Sequence, residues 1–446
     1  MHIRYPRWPR ERVIAFSFIA LVLLLANWAS AVVSFPYDAG LYWDLGQTST
    51  LHAFPHTFRG YLWPYILIPA HTIDQWTGIQ TPWAWRIISS LIYSLLFTGP
   101  VAELFKRSFG GRLSIARRSW MAIATLVIFP GLFLYPLSDL PAALFLVCGI
   151  LLTDSRHGRR WVIRCLASGA LVAAAYNTRT IYMLAFLAML ALVPLFFFRG
   201  RPVWTRAVAL LAFVLGAAIV CVPQAVINKR LYGVASPLVQ TSSLMASQLY
   251  WGVTLQRYET SIRHDVPSAS LFYRDQAGIA FNSEFPGYLS KHTILNYATT
   301  VIAHPLFFFG AYGRHLVNGI DVRDGMVYTD ELSKNRTIWS LFCFTLFAFC
   351  TFVLSTRDTK NWAEWGYLAP LLVVVVGILP GAIETRFLMP LYLLLFGAVA
   401  TRFEWSYFAS QLRRHWASIV VGYVGLASIW LAITSSTMAQ LRYVFP

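Results

Sequence analysis

The sequence predicts an all-α, polytopic membrane protein with about 11 transmembrane helices, plus interfacial helices in a first external loop and in one long later loop. Three observations carry this. Hydrophobic residues make up 57% of the 446 and charged residues only 12%, where soluble chains average about 25% charged. Several apolar runs approach the ~20 residues needed to cross ~30 Å of hydrocarbon. The basic residues gather in short clusters between those runs, at Arg4 to Arg12, Lys106 to Arg118, Arg156 to Arg164, Arg199 to Arg206 and Arg402 to Arg414. Cytoplasmic loops carry such an excess of Lys and Arg.

The net charge of +17 therefore reflects membrane topology, and no nucleic-acid partner is expected. The five cysteines, Cys148, Cys165, Cys221, Cys343 and Cys350, all lie inside apolar runs, without a Cys-x-x-Cys pair. They read as packing residues rather than a disulfide or zinc framework.

Span one covers residues 13–33. It is longer than a signal-peptide core, although a small-residue site, Ala29-Ser30-Ala31, lies near its end. The expectation is an uncleaved first span with a cytoplasmic N-terminus. Residues 34–85 form the first external loop, broken by Pro36, Pro55, Pro64, Pro69 and Pro82. Its apolar middle, 61–73, has the length of an interfacial or re-entrant helix rather than a span.

Spans two to seven are expected at 87–105, 120–134, 140–152, 161–176, 181–198 and 207–227. Residues 228–337 mix aromatics, glycines and both charge signs. The piece 299–312 is interrupted by His304-Pro305, so this is read as a long external loop with interfacial helices, the alternative being one hidden hairpin. Spans eight to eleven follow at 338–354, 366–383, 387–401 and 417–435, leaving the C-terminus outside. If 61–73 crossed the membrane, every later loop would swap sides and the basic clusters would oppose the topology. No internal repeat or soluble terminal domain is visible, so residues 1–446 read as a single transmembrane domain.

The stretch 35–46 stands out, because two carboxylates and four aromatics leave span one together. The topology collects Asp38, Asp44, Asp139 and Glu384 on the outer face with Arg59, Arg179 and Arg386. Guanidinium forks match phosphate oxygens, and a carboxylate takes the proton of an attacking hydroxyl or amine. A sugar carried on a polyprenyl phosphate needs both at one membrane depth.

Six segments in order resemble the GT-C superfamily of polyprenyl-phosphate-sugar-dependent glycosyltransferases, of the protein-mannosyltransferase and aminoarabinose-transferase type. They are Asp38-x-x-x-Tyr42-x-x-Leu45-Gly46, Arg59-Gly60-Tyr61-Leu62-Trp63-Pro64, Tyr135-Pro136-Leu137-Ser138-Asp139, Asn177-Thr178-Arg179, His304-Pro305 and Arg386-Phe387-Leu388-Met389-Pro390. The family often has Asp-Glu where this chain has Asp38-Ala39, and many relatives carry a soluble C-terminal domain. The resemblance implies an inverting hexosyl- or pentosyltransferase working at the outer face. Asp38 would be its general base and Asp139 a second acid that orients the acceptor or assists Asp38.

Asp44 competes with Asp38. On a helix the two lie about 120° apart, so one cavity would not take both. N-capping of span four competes for Asp139. Arg59, Arg386 and Arg179 are read as donor-phosphate contacts against ordinary interfacial snorkelling. Tyr42 is read as lining the sugar site, with Tyr37, Trp43 and Trp63. Glu384 joins the outer-face acids, and His304 is read either as a site residue or as a packed interfacial histidine.

No metal ligand is assigned. His52, His56 and His71 with Asp74 raise a metal site, but no His-x-x-x-His pair on a clear helix supports it. A divalent ion is the less favoured alternative, since arginines suffice for a single phosphate. The expected partners are a lipid-linked sugar donor, a glycan, lipid or protein acceptor, and membrane lipids.

Two other functions remain open. One is a lipid-linked glycan flippase, which would place ionisable residues in mid-span. The other is a glycan polymerase or ligase using a diphosphate-linked donor, served by Arg257, Arg263, His264 or Arg274. Arginine supplies 31 of the 36 basic residues, which fits a GC-rich bacterial genome and a bacterial inner membrane.

Overall fold

A computed structural model describes residues 9–30, 32–57, 59–79, 81–154, 160–237, 239, 242–261, 269–286, 293–322, 336–355 and 362–444. Arg4, Arg156, Arg159, Arg263, His264, Arg357 and Lys360 lie outside the described residues.

Each predicted span corresponds to a helix. They are α1 (Arg10–Ala29), α4 and α5 (Trp83–Leu96 and Ala102–Phe109, joined by one wider turn), α6 (Ile115–Ile128), α8 (Asp139–Thr153), α9 (Trp161–Thr178), α10 (Met183–Leu192, continued at both ends to Thr180–Phe197) and α11 (Val203–Tyr232). Then come α16 (Arg336–Ser355), α17 (Trp362–Ile378), α18 (Met389–Arg402) and α19 (Trp405–Met438). Among the described residues six of these are long and apolar enough to cross a membrane: Arg10–Ala29, Trp83–Phe109, Thr180–Phe197, Val203–Tyr232, Arg336–Ser355 and Trp405–Met438. The chain is thus a multi-pass membrane protein, with six such helices where the sequence suggested about 11 spans. Prolines account for the shortfall at two places. Pro130 ends α6, leaving a separate turn α7 (Gly131–Leu134), and Pro380-Gly381 ends α17 five residues before the expected boundary.

Between α1 and α4 lie α2 (Tyr37–Leu45) and α3 (Leu62–Thr77), the latter containing Pro69 and burying Trp63, Leu67, Ala70 and His71. The long loop contains α12 (Ser242–Thr254), α13 (Gln276–Glu284), α14 (Ile294–Ala303) and α15 (Pro305–Ile320). The chain turns by 108° between α14 and α15, where His304 precedes Pro305.

The expectation of an all-α fold needs one correction. Strands β1 (Leu255–Ser261), β2 (Ala269–Arg274) and β3 (Leu441–Val444) form an antiparallel sheet in that order, with Tyr258 opposite Phe272 and Phe272 opposite Arg442. The strand signal was hidden because alternate positions on β1, Arg257 and Glu259, are buried yet charged. Apolar–polar alternation is the usual signature of a half-buried strand. Because β3 pairs with β2, the C-terminal segment and the long loop share one end of the bundle.

The helices pack through small residues, as membrane helices do. On α9 a side chain at Gly169 would meet the Phe213 backbone of α11 at 1.8 Å, so the two helices touch backbone to backbone. The basic loops converge at the other end of the bundle. Arg107 reaches Asp154 at 2.9 Å, Arg164 reaches the Leu151 carbonyl at 3.2 Å, Arg117 reaches the Thr401 and Phe403 carbonyls at 3.1 and 3.0 Å, and Arg402 reaches the Leu354 carbonyl at 3.1 Å. Arg117, Arg164 and Arg402 satisfy carbonyls near helix ends, where intrahelical partners run out.

Candidate functional site

At the end of the bundle opposite the basic loops, five separate segments bring seven of the expected site residues together. Asp38 sits in the first turn of α2, where aligned peptide dipoles favour a negative charge. Tyr37, just before it, has φ +48°, a conformation that an aromatic residue adopts at a cost, so the backbone is strained at the entry to the site.

Arg59 is fixed from behind. A side chain at Gly60 would stand 1.9 Å from the Asn177 carbonyl oxygen, so this loop lies directly on the C-terminal end of α9. Leu62 N–H donates to Asn177 Oδ1 at 3.0 Å, Asn177 Nδ2 to Gln224 Oε1 at 2.8 Å, and Gln224 Nε2 to Asn228 Oδ1 at 3.0 Å. A fully paired buried chain of this kind rigidifies what it holds. Arg179 ends α9 and Asp139 begins α8. Glu384 and Arg386 lie on the short stretch between α17 and α18, which is held against the sheet. There Tyr258 N–H donates to the Ile383 carbonyl at 2.8 Å, and Thr385 N–H to Glu259 Oε1 at 2.9 Å.

The charges interlock. One oxygen of Asp38 accepts from Arg59 and the other from Arg386 Nη2 at 2.8 Å. The same Nη2 is 2.7 Å from Glu384 Oε2, while Arg386 Nη1 is 3.6 Å from Asp139 Oδ2. Arg179 Nε lies 2.9 Å from Asp139 Oδ1, and its Nη1 donates to Ser138 Oγ at 3.1 Å. The Asp139 carboxylate therefore faces arginines, not the free N–H groups of its own helix. Arg179 and Arg386 stand 4.6 and 5.6 Å from the centre of the Phe387 ring, and Arg59 stands 5.2 Å from that of Tyr42.

Exposure divides the cluster. Arg386, Asp139 and Glu384 are 4%, 2% and 1% exposed, whereas Asp38 is 21% and Arg59 17% exposed. Asp38 and Arg59 are thus its accessible edge.

Burial works against ionised Asp38, but Arg59, Arg386 and Arg179 together outweigh it and hold this carboxyl below the usual carboxylate range. Glu384 goes the other way. Burial, reinforced by the charges of Glu259 and Asp38, raises it against the pull of Arg386. Two carboxyls within reach of one guanidinium are therefore driven toward opposite protonation states.

Two expected residues lie elsewhere. Asp44, exposed on α2, opens onto a separate cleft beside His71 and Asp74, as the 120° offset implies. His304 sits at the α14–α15 bend against Phe281 and Phe285, with ring centres 5.1 and 4.6 Å apart. Of the residues considered for a diphosphate donor, Arg257 is buried 3.7 Å from Glu259 and donates to the Asn318 carbonyl at 3.0 Å, and Arg274 is exposed. Among the described residues no group of three His, Cys, Asp or Glu side chains comes together that could hold a metal ion. Sequence reasoning assigned no role to Tyr258 or Glu259, which carry no motif and acquire a place here only through the sheet, nor to Ser138, which was quoted only as the neighbour of Asp139.

No protein-family profile matches the chain, and no curated protein matches it. Among solved structures it is similar to an archaeal oligosaccharyltransferase, AglB from Archaeoglobus fulgidus, in complex with an inhibitory peptide and a dolichol-phosphate. The identity is 14% and the TM-score 0.47, over 96% of this chain and 55% of that one. The chain thus spans about half the length of that protein.

Proposed function

We propose that this chain is a GT-C-type membrane glycosyltransferase. It would move a sugar from a polyprenyl-phosphate donor to an acceptor at the non-cytoplasmic face of a bacterial inner membrane, inverting the anomeric centre. The observation that carries this reading is the accessible Asp38 carboxylate clasped by Arg59 and by Arg386, which lie in loops far apart in the chain. The arginine-rich opposite end supports a cytoplasmic placement for the basic loops.

In this reading the acceptor hydroxyl or amine gives its proton to Asp38 as it bonds to C1 of the sugar. The C1–O bond breaks, and its electron pair leaves with the polyprenyl phosphate. Arg59 and Arg386 receive the phosphate charge, with Asp139, itself held by Arg179, behind Arg386. Burial that pushes Glu384 toward its neutral form shifts the balance of the cluster toward its three arginines, which suits an arriving anion. As the guanidiniums turn from Asp38 to the phosphate, Asp38 loses counter-charge and becomes the stronger base that the reaction requires.

The test uses purified protein, a panel of radiolabelled polyprenyl-phosphate sugars and the Asp38→Asn variant. The expected result is sugar transfer without energy input that falls by about 10²–10⁴-fold in Asp38→Asn, the usual worth of a general base. Full activity in that variant refutes the assignment. Translocation without transfer favours the flippase, and activity confined to diphosphate donors favours the polymerase or ligase.

A further inference from the structure

α2 offers its two acids to two different places. Asp38 enters the arginine cluster, while Asp44, six residues on, borders a cleft of about 490 Å³ between α2, α3 and the start of α4. That volume is in the range of small-molecule sites, about 300–1,000 Å³. Its polar lining is Ser34, Asp44, His71, Asp74 and Gln75, beside the indole of Trp43.

Two of these groups are buried with atoms unused. His71 is 6% exposed and, among the described residues, its Nδ1 makes no hydrogen bond. Asp74 is 8% exposed. Its Oδ1 accepts from the Ala84 N–H at 2.9 Å, and among the described residues its Oδ2 makes no hydrogen bond. A buried acceptor left unpaired is costly, and such a group normally has a ligand or solvent to meet. Asp44 adds an exposed carboxylate with no hydrogen bond or ion pair among the described residues.

We propose that this cleft binds a sugar ring or similar polyol, and that its occupant is a part of the acceptor remote from the reacting group. The second clause rests on the glycosyltransferase reading; the first does not. The unused atoms are carboxylate oxygens, which call for donors, and an imidazole nitrogen, which donates or accepts according to tautomer, and vicinal hydroxyls supply donors in pairs and accept as well. Trp43, packed 4.9 Å from the His71 ring and 5.1 Å from Phe35, gives the cleft a rigid apolar wall for the C–H face of a sugar. Along α2, Asp44 lies roughly 9 Å beyond Asp38 and about 120° around. An acceptor of more than one ring would therefore rest in the cleft and extend its reacting hydroxyl toward Asp38.

Saturation-transfer NMR on the full-length protein in detergent tests this. The probes are the methyl glycosides of glucose, mannose, galactose and arabinose, with ethylammonium as a cationic control. The proteins are wild type, Asp38→Asn, Asp44→Asn and Asp74→Asn. Asn at 74 retains an acceptor for Ala84, and position 44 is exposed, so both cleft variants keep the fold.

At least one glycoside should bind wild type and Asp38→Asn alike, and bind Asp44→Asn and Asp74→Asn about tenfold more weakly. Absence of glycoside binding at millimolar concentration, equal binding to all four proteins, or preference for ethylammonium overturns the proposal. Since no turnover is read, loss of transfer in Asp38→Asn and occupancy of the cleft are judged separately.

Discussion

Replacing Arg386 with methionine removes the cation on which the cluster turns. Its guanidinium is 4% exposed, 2.8 Å from Asp38, 2.7 Å from Glu384 and 3.6 Å from Asp139. Without it, three acids face only Arg59 and Arg179. Breaking a buried ion pair costs about 3–5 kcal/mol, because the surviving charge is left uncompensated. Asp38 is a fifth exposed and can hydrate, so a value near the lower end, about 3 kcal/mol, is expected.

That loss carries a pH signature. Arg386 is one of the cations that hold Asp38 low, so its loss raises the folded-state value of Asp38; the deficit from that source is full above the raised value and shrinks as pH falls through it toward the wild-type value. Reversible unfolding in mixed micelles, near neutrality and at about pH 5, measures both quantities. Arg386→Lys should fall between, since an ammonium is a single point charge and cannot fork across three carboxyls. If the methionine variant unfolds with wild-type free energy, or its deficit does not change with pH, the acids are not held as one buried electrostatic unit.

Further expectations follow from the same geometry. The acid limb of kcat/KM should lie below the ordinary aspartate value of about 3.9, and Arg59→Gln should move it upward by removing one of the two cations on Asp38. In stability, Asp38's contribution is present above its unfolded value and is lost as pH falls through its lowered folded value. Gly60→Ala, with its added carbon 1.9 Å from the Asn177 carbonyl oxygen, should cost about 1–3 kcal/mol and reduce transfer by displacing Arg59; thermal unfolding and the radiolabel assay read the two effects. Glu259→Ala strands the buried Thr385 N–H and should destabilise by about 1–3 kcal/mol, while Glu259→Gln, which keeps an acceptor, should cost less in the same unfolding measurement.

Much of this architecture was readable along the chain because membrane insertion imposes its constraints locally. An apolar run must cover the hydrocarbon and positive charges bias loops to one side, so a multi-pass helical membrane chain with one arginine-rich end could be read from hydropathy and charge, though among the described residues six helices long enough to cross stand where about 11 spans were expected. Asp38, Tyr42, Arg59, Asp139, Arg179, Glu384 and Arg386 were all expected at a common end, and they meet there.

Three matters were decided only by the folded chain. The β1–β2–β3 sheet was invisible, since its buried charges at Arg257 and Glu259 erase the alternation that marks a strand. His304 went to an aromatic bend and Asp44 to a cleft of its own, because the direction of a side chain depends on helix phase and on neighbours from distant segments. Which guanidinium meets which carboxylate was likewise undetermined, for Asp38 and Arg386 share no local pattern. Their 2.8 Å contact exists only because the α2 turn and the Pro380-Gly381 break bring two remote stretches of backbone to one point.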